Sequence, residues 1–157
     1  MVTILAYLFT IIFLVGLDQY TKQLVVAYIP EGSKLEIIPN FFNITYVKNT
    51  GAAWSMFEGQ RSIFIIITIA AVIYFSYLLI KEKDKPFINK LCYLLIVGGA
   101  IGNFIDRVLN AYVVDFLSFK LFGSYDFPVF NLADCFLTIG VFLYIILSLV
   151  EMKNAKN

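Results

Sequence analysis

Residues 62–80 read SIFIIITIAAVIYFSYLLI, nineteen consecutive positions without a charged side chain. At 1.5 Å per residue such a run covers about 28 Å as a helix, close to the thickness of a bilayer's hydrocarbon core. Lipid offers backbone groups no hydrogen-bond partner, so a stretch of this kind is helical if it crosses. Three further apolar blocks flank it. Val2 to Leu17 runs through Asp18-Gln19-Tyr20-Thr21-Lys22 and continues apolar to Ile29. Leu91 to Ile105 ends in Asp106-Arg107, and Phe127 to Val150 is broken only by Asn131 and Asp134, with Pro128 suited to a first helical turn. The first block lacks a basic leader and a small-residue cleavage site, so it reads as a retained helix rather than a cleaved signal peptide. The expectation is an all-α polytopic membrane protein, one membrane domain over 1–157. Its spans are expected near 3–28, 62–80, 90–106 and 127–150, with outer loops 30–61 and 107–126.

Composition agrees with that class. The chain is 61% hydrophobic and 15% charged, with mean hydropathy +0.84, whereas soluble domains carry about 25% charged residues. A net charge of +1 gives no reason to expect nucleic acid. The absence of His removes His-based metal sites and every nucleophile that depends on a His base. Cys92 and Cys135 both lie in apolar blocks and read as small buried hydrophobes. No cofactor is expected.

Lysines set the orientation. Residues 81–90 hold Lys81, Lys83, Lys85 and Lys90, and the tail adds Lys153 and Lys156, whereas residues 31–60 contain only Lys34 and Lys48. The 81–90 loop and both termini are therefore expected in the cytoplasm, and the two longer loops outside. In the first outer loop, Leu35-Glu36-Ile37-Ile38 and Phe41-Phe42-Asn43-Ile44-Thr45-Tyr46-Val47 read as a strand pair about Pro39-Asn40, a small extracytoplasmic β element. The second, Phe116 to Phe127, mixes aromatics with Lys120, Ser124 and Asp126 and reads as an interfacial segment at the headgroups.

Ionisable groups in spans are costly and mark function by default. Helix rise places Asp18 and Asp106 roughly 20–25 Å above the cytoplasmic ends of their helices, and Asp134 roughly 10 Å below the outer surface. Asp115 can fold back to the same level, so four carboxylates converge near the outer leaflet. Asp18 and Lys22, spaced i, i+4, read as a structural ion pair. Asp106 adjoins Arg107, whose guanidinium can pair with a carboxylate. Asp115 and Asp134 have no basic neighbour in sequence. Two facing carboxylates in a poorly solvated place share one proton, and such a pair can deprotonate a water while protonating a carbonyl or leaving amine. Gly98, Gly99 and Gly102 read first as close helix packing. Asn49-Thr50-Gly51-Ala52-Ala53 reads either as a turn or as amide donors facing the cleft.

Five segments, Asp18-Gln19-Tyr20-Thr21-Lys22, Asn49-Thr50-Gly51-Ala52-Ala53-Trp54-Ser55, Gly98 to Arg107, Val113-Val114-Asp115-Phe116 and Phe130-Asn131-Leu132-Ala133-Asp134, resemble in order and spacing the motif set of bacterial lipoprotein signal peptidases. Trp54 stands where that family usually has Phe. The resemblance implies an aspartyl endopeptidase that removes the signal peptide of prolipoproteins before a diacylglyceryl-modified Cys. It implies Asp115 and Asp134 as the catalytic pair, with Asn49, Gly51, Asn103, Arg107 and Asn131 lining the site and Asp18 supporting it. Lys22, Gly99 and Asp106 complete the expected supporting set. The expected partners are lipid-modified prolipoproteins and membrane lipid, with the chain acting as a monomer in the bacterial cell membrane. The competing reading from the residues is a small four-helix proton-coupled exporter with Asp134 as its ion site, against which stand the long, structured outer loops.

Overall fold

The computed structural model describes residues 2–51 and 59–155. Among them are four long helices: α1 (Val2–Tyr28), α2 (Arg61–Lys81), α3 (Phe87–Asn110) and α4 (Leu132–Asn154). Each is long and apolar enough to cross a membrane. The central one is α3, against which the other three pack. Of its most apolar stretch 61% is buried, compared with 6–11% for the others. Its glycines explain how. A Cβ on Gly98 would stand 2.9 Å from the Leu14 Cβ, and one on Gly99 only 2.5 Å from the Ala133 carbonyl oxygen. Helices α1 and α4 thus approach α3 where no side chain intervenes, the small-residue packing that replaces hydrophobic drive in lipid. The outer faces of α1, α2 and α4 leave Phe9, Ile12, Ile66, Ile73, Phe142 and Ile145 exposed, as a lipid-facing surface requires.

The loops at one end of the bundle join in a single antiparallel sheet, β1 (Lys34–Ile38), β2 (Phe42–Asn49), β3 (Val113–Leu121) and β4 (Tyr125–Asp126), in that order. The expected strand pair is β1–β2, turning through Asn40 at φ 56°. The other half is a correction. The expected fold class was all-α with a single strand pair; the second loop adds to the sheet, Val113–Leu121 pairing with β2 from Asn49 opposite Val113 to Phe42 opposite Phe119. Val113, Val114, Phe116 and Phe119 are β-branched or aromatic, and β2 offers them a free edge. The molecule is four apolar helices carrying a small sheet. Val25 of α1 meets Tyr46, Val114 and Phe116 in the cluster that seats the sheet on the bundle.

Helix boundaries also differ from the sequence expectation. Helix α3 extends past both expected ends, stopping at Ala111 in the left-handed region, φ 65°. Helix α4 starts at Leu132, five residues later than expected, because the preceding stretch is bonded to β3. Phe127 N–H donates to the Phe119 oxygen at 2.9 Å, and Phe130 exchanges hydrogen bonds with Leu117 at 2.7 and 3.1 Å. Pro128 is therefore outside the helix. At the far end α2 and α4 are pinned together, the Tyr74 and Tyr144 hydroxyls 3.4 Å apart and Lys85 bridging Glu82 and Glu151 at 3.1 and 2.9 Å.

Candidate active site

At the junction of sheet and bundle, a cavity of about 670 Å³ is lined by Asn49, Gly51, Asn103, Arg107, Asp115 and Asp134. Its apolar walls come from α2 (Phe64), the extended Phe127–Phe130 stretch and α4 (Leu137, Ile139). All six residues were expected at a site from sequence. They arrive from β2 and the turn after it, α3, β3 and α4, so only the folded chain assembles them.

Asp115 is buried on β3, with both oxygens occupied. Asn49 Nδ2 donates to Oδ2 at 2.7 Å and Asn131 Nδ2 to Oδ1 at 2.6 Å. Asp134 likewise takes Asn103 Nδ2 on Oδ1 at 2.7 Å and the Asn131 backbone N–H on Oδ2 at 3.1 Å. Asn131, itself fully buried, thus touches both carboxyl groups. Burial first, and then the charge of Asp134, push the Asp115 acid up to about 7, against the weaker pull of its Asn49 and Asn131 hydrogen bonds. Asp134 is not the mid-helix residue that a start near Phe127 implied. It occupies the first turn of α4 in a capping box, its N–H donating to the Asn131 side chain at 3.0 Å.

Behind the cavity lies a second knot that holds the first. Lys22 Nζ has three donors and three acceptors: Asp18 at 2.8 Å, Asp106 at 3.0 Å and Asn103 Oδ1 at 3.0 Å. Asn103 Oδ1 also accepts from Asn131 Nδ2 at 3.1 Å. With both lone pairs engaged by donors, the Asn103 amide has one orientation, and its Nδ2 must face Asp134. Asp18 adds a cross-helix cap, accepting the Ala133 N–H at 2.9 Å and so satisfying one of the unpaired donors in the first turn of α4. Asp106 accepts the Val114 N–H at 3.1 Å, which fixes the start of β3 beside α3. All of these groups are buried, and removing Lys22 from between two buried carboxylates would cost roughly 3–5 kcal/mol.

Two sequence readings change here. Asp106 pairs with Lys22 rather than Arg107. The Arg107 guanidinium lies 4.9 Å over the Phe64 ring and donates to the Gly51 carbonyl at 3.4 Å, leaving a cation on the cavity wall. Gly99 packs against Ala133 and Leu137, the close helix contact expected of it. Gln19 was passed over, yet its Nε2 reaches Asp106 at 2.9 Å and the Gly102 carbonyl at 3.1 Å. An amide inside an apolar block, next to Asp18, was the available signal. Ala52, Ala53, Trp54 and Ser55 of the second motif lie outside the described residues.

Asn49 reconciles both readings of its motif. Its Oδ1 accepts the Gly51 N–H at 2.9 Å, making the turn, and this aims Nδ2 at Asp115.

Comparison with known proteins places this arrangement. The family described as signal peptidase (SPase) II matches residues 10–150. A lipoprotein signal peptidase of Staphylococcus aureus is 44% identical over 146 residues, 93% of this chain and 89% of that protein. A solved bacterial membrane enzyme superposes with a TM-score of 0.87 at 42% identity, covering 95% of this chain and 90% of its own. A second gives 0.82 at 43% identity, covering 92% of each. With nine-tenths of the length matched and the motif residues gathered about one cavity, the chain belongs to the signal peptidase II family.

Proposed function

We propose that the protein cuts lipoprotein precursors with Asp115 and Asp134 acting as one proton-sharing unit. As a member of its family it is an aspartic-type endopeptidase that removes prolipoprotein signal peptides, and the exporter reading is not favoured. The observation that carries the dyad is Asn131, which hydrogen-bonds both carboxyl groups on the wall of a largely apolar cavity.

The chemistry follows from the unequal surroundings of the pair. Asp115 holds the shared proton, because burial and its partner's charge both oppose its ionisation. Asp134 is then the base. A water between them gives a proton to Asp134 as its oxygen attacks the scissile carbonyl, and Asp115 passes its proton to the developing oxyanion. Collapse of the tetrahedral intermediate returns the Asp115 proton from the oxygen, while Asp134 delivers its own to the leaving nitrogen. The dyad ends as it began, with one proton. Arg107 supplies a fixed positive charge and N–H donors to substrate carbonyls, and Phe64, Phe127 and Leu137 offer an apolar seat for the signal peptide. Asn49, Asn103 and Asn131 hold the two carboxyl groups in register before substrate arrives, so little reorganisation is needed during the reaction.

The proposed setting is the bacterial cell membrane, with a monomeric chain, cytoplasmic termini and the cavity at the outer leaflet. The lysine distribution supports that orientation. A diacylglyceryl group on the substrate Cys would anchor the scissile bond at the height of the aspartates. Purified protein in vesicles should therefore shorten a diacylglyceryl-modified prolipoprotein at least tenfold faster than the same precursor with unmodified Cys, scored by gel mobility, an expected ratio of about 1.4 kcal/mol in transition-state binding. Equal rates would remove lipid anchoring from the mechanism, and no cleavage of either would remove the activity.

A further inference from the structure

A threonine inside an apolar helix commonly bonds its hydroxyl back to the carbonyl one turn earlier. On α1, Thr10 does so to Ala6 at 2.9 Å and Thr21 to Leu17 at 3.0 Å. Thr68 of α2 and Thr138 of α4 depart from that habit. Both line the cavity, and among the described residues neither hydroxyl has a partner. Their positions correspond. Thr68 lies one turn deeper into the bundle than Phe64, on whose ring the Arg107 guanidinium rests, and Thr138 one turn deeper than Asp134. Each therefore stands about 6 Å below the charged groups, one on the α2 wall and one on the α4 wall. Deeper still the cleft closes, where the Tyr74 and Tyr144 hydroxyls meet 3.4 Å apart. From Asp134 to that closure is about 15 Å along α4, half the thickness that a spanning helix must cross.

We propose that Thr68 and Thr138 bind the backbone of the substrate's signal peptide where it unwinds beside the scissile bond. A peptide bond must leave its helix before water can attack it, and in lipid each N–H and C=O so freed lacks a partner. The neighbouring walls are Phe64, Leu137 and Ile139, which offer a backbone group nothing. A threonine hydroxyl can donate to a freed carbonyl or accept from a freed N–H. An extended chain advances about 3.3 Å per residue, so a hydroxyl 6 Å below the dyad meets the backbone roughly two residues before the cut. The tyrosine closure keeps the unwound stretch short, and the rest of the signal peptide stays helical in lipid. The contact rests on the peptidase reading and adds to it the groups that hold the opened segment.

Thr68→Val and Thr138→Val remove each hydroxyl at nearly constant shape, whereas Thr68→Ser and Thr138→Ser keep it. The full protein in detergent would be titrated with a dye-labelled, diacylglyceryl-modified prolipoprotein peptide, and affinity read by fluorescence anisotropy. Each Val variant should bind about threefold to tenfold more weakly, the Ser variants should match the parent, and unfolding temperatures should not fall. A second set of peptides carries an ester in place of one amide, at each of the three positions before the cut in turn. At least one ester should weaken binding to the parent by a similar factor and add almost nothing in the double Val variant, because the bond it deletes is already gone. A merely structural role for the threonines would not produce that coupling. Parent-like affinity in the double Val variant, or ester and Val losses that simply add, would overturn the proposal. Coupled binding without cleavage by the parent would refute the dyad chemistry and leave this contact standing, and a parent that does not bind the peptide would overturn both.

Discussion

Asp115 shows how much a residue's chemistry depends on surroundings that its neighbours in sequence do not reveal. Val113-Val114-Asp115-Phe116 contains no base and no cation, and the strand places it opposite Val47 of a segment almost seventy residues earlier. What could be read early was the absence of a local partner and the i, i+4 spacing of Asp18 and Lys22, which is indeed a 2.8 Å ion pair. What could not be read was Lys22 reaching a second carboxylate on α3, or Asn103 turned by it toward Asp134, because those contacts exist only between helices. The raised Asp115 acid gives a direct test. Cleavage should fall as pH rises through about 7, as the shared proton is lost. Folding should respond with a definite sign. A carboxyl raised from 3.8 to about 7 binds a proton in the folded chain that the unfolded chain has released, so its contribution to stability diminishes as pH climbs through that window. A rate that stays level well above neutrality, followed in one buffer series, would separate Asp115 from the acid role.

The four helices were legible because a bilayer demands long apolar runs, and nothing else in a chain of this size produces them. Their ends were less so. Hydropathy continues smoothly through Phe127–Phe130, but those residues are held by β3, and the true start of α4 is marked by the Asn131 capping box. The same oversight hid β3, whose residues were read for their affinity to a membrane surface rather than for pairing with β2. Helix packing, by contrast, was foreseen in the glycines of α3, and here two glycines should respond oppositely to one substitution. Gly99→Ala drives a methyl to 2.5 Å from the Ala133 carbonyl, a backbone atom that cannot step aside without shifting the first turn of α4. A loss of about 1–3 kcal/mol and a slower enzyme are expected. Gly16→Ala meets nothing within 4 Å on α1 and should be neutral or stabilising by roughly 0.5–1 kcal/mol. Thermal unfolding of both variants in one detergent decides it; equal effects would mean that α3 and α4 are not in close backbone contact.

At the scale of the whole molecule, the fold turns a hydrophobic bundle into an enzyme by bringing a sheet and three helices to one largely apolar cavity. Orientation is testable with single cysteines in a Cys92→Ser, Cys135→Ser background. Lys83→Cys should resist an impermeant thiol reagent in intact cells and Lys34→Cys should react, and the reverse pattern would turn the cavity to the cytoplasm. Order and spacing across the five motifs pointed to the family, whereas the proposed cooperation of two aspartates from separate elements would be a property of the assembled chain. It can be measured on Asp115→Asn, Asp134→Asn and the double variant, with folded yield by gel filtration and cleavage of a lipidated prolipoprotein on the same preparations. Asn is nearly isosteric with Asp, so each single variant should fold and be almost inactive, and the double variant should lose little more than either, because groups acting as one unit are not additive. A well-folded Asp134→Asn protein with near-normal turnover would contradict the shared-proton dyad outright.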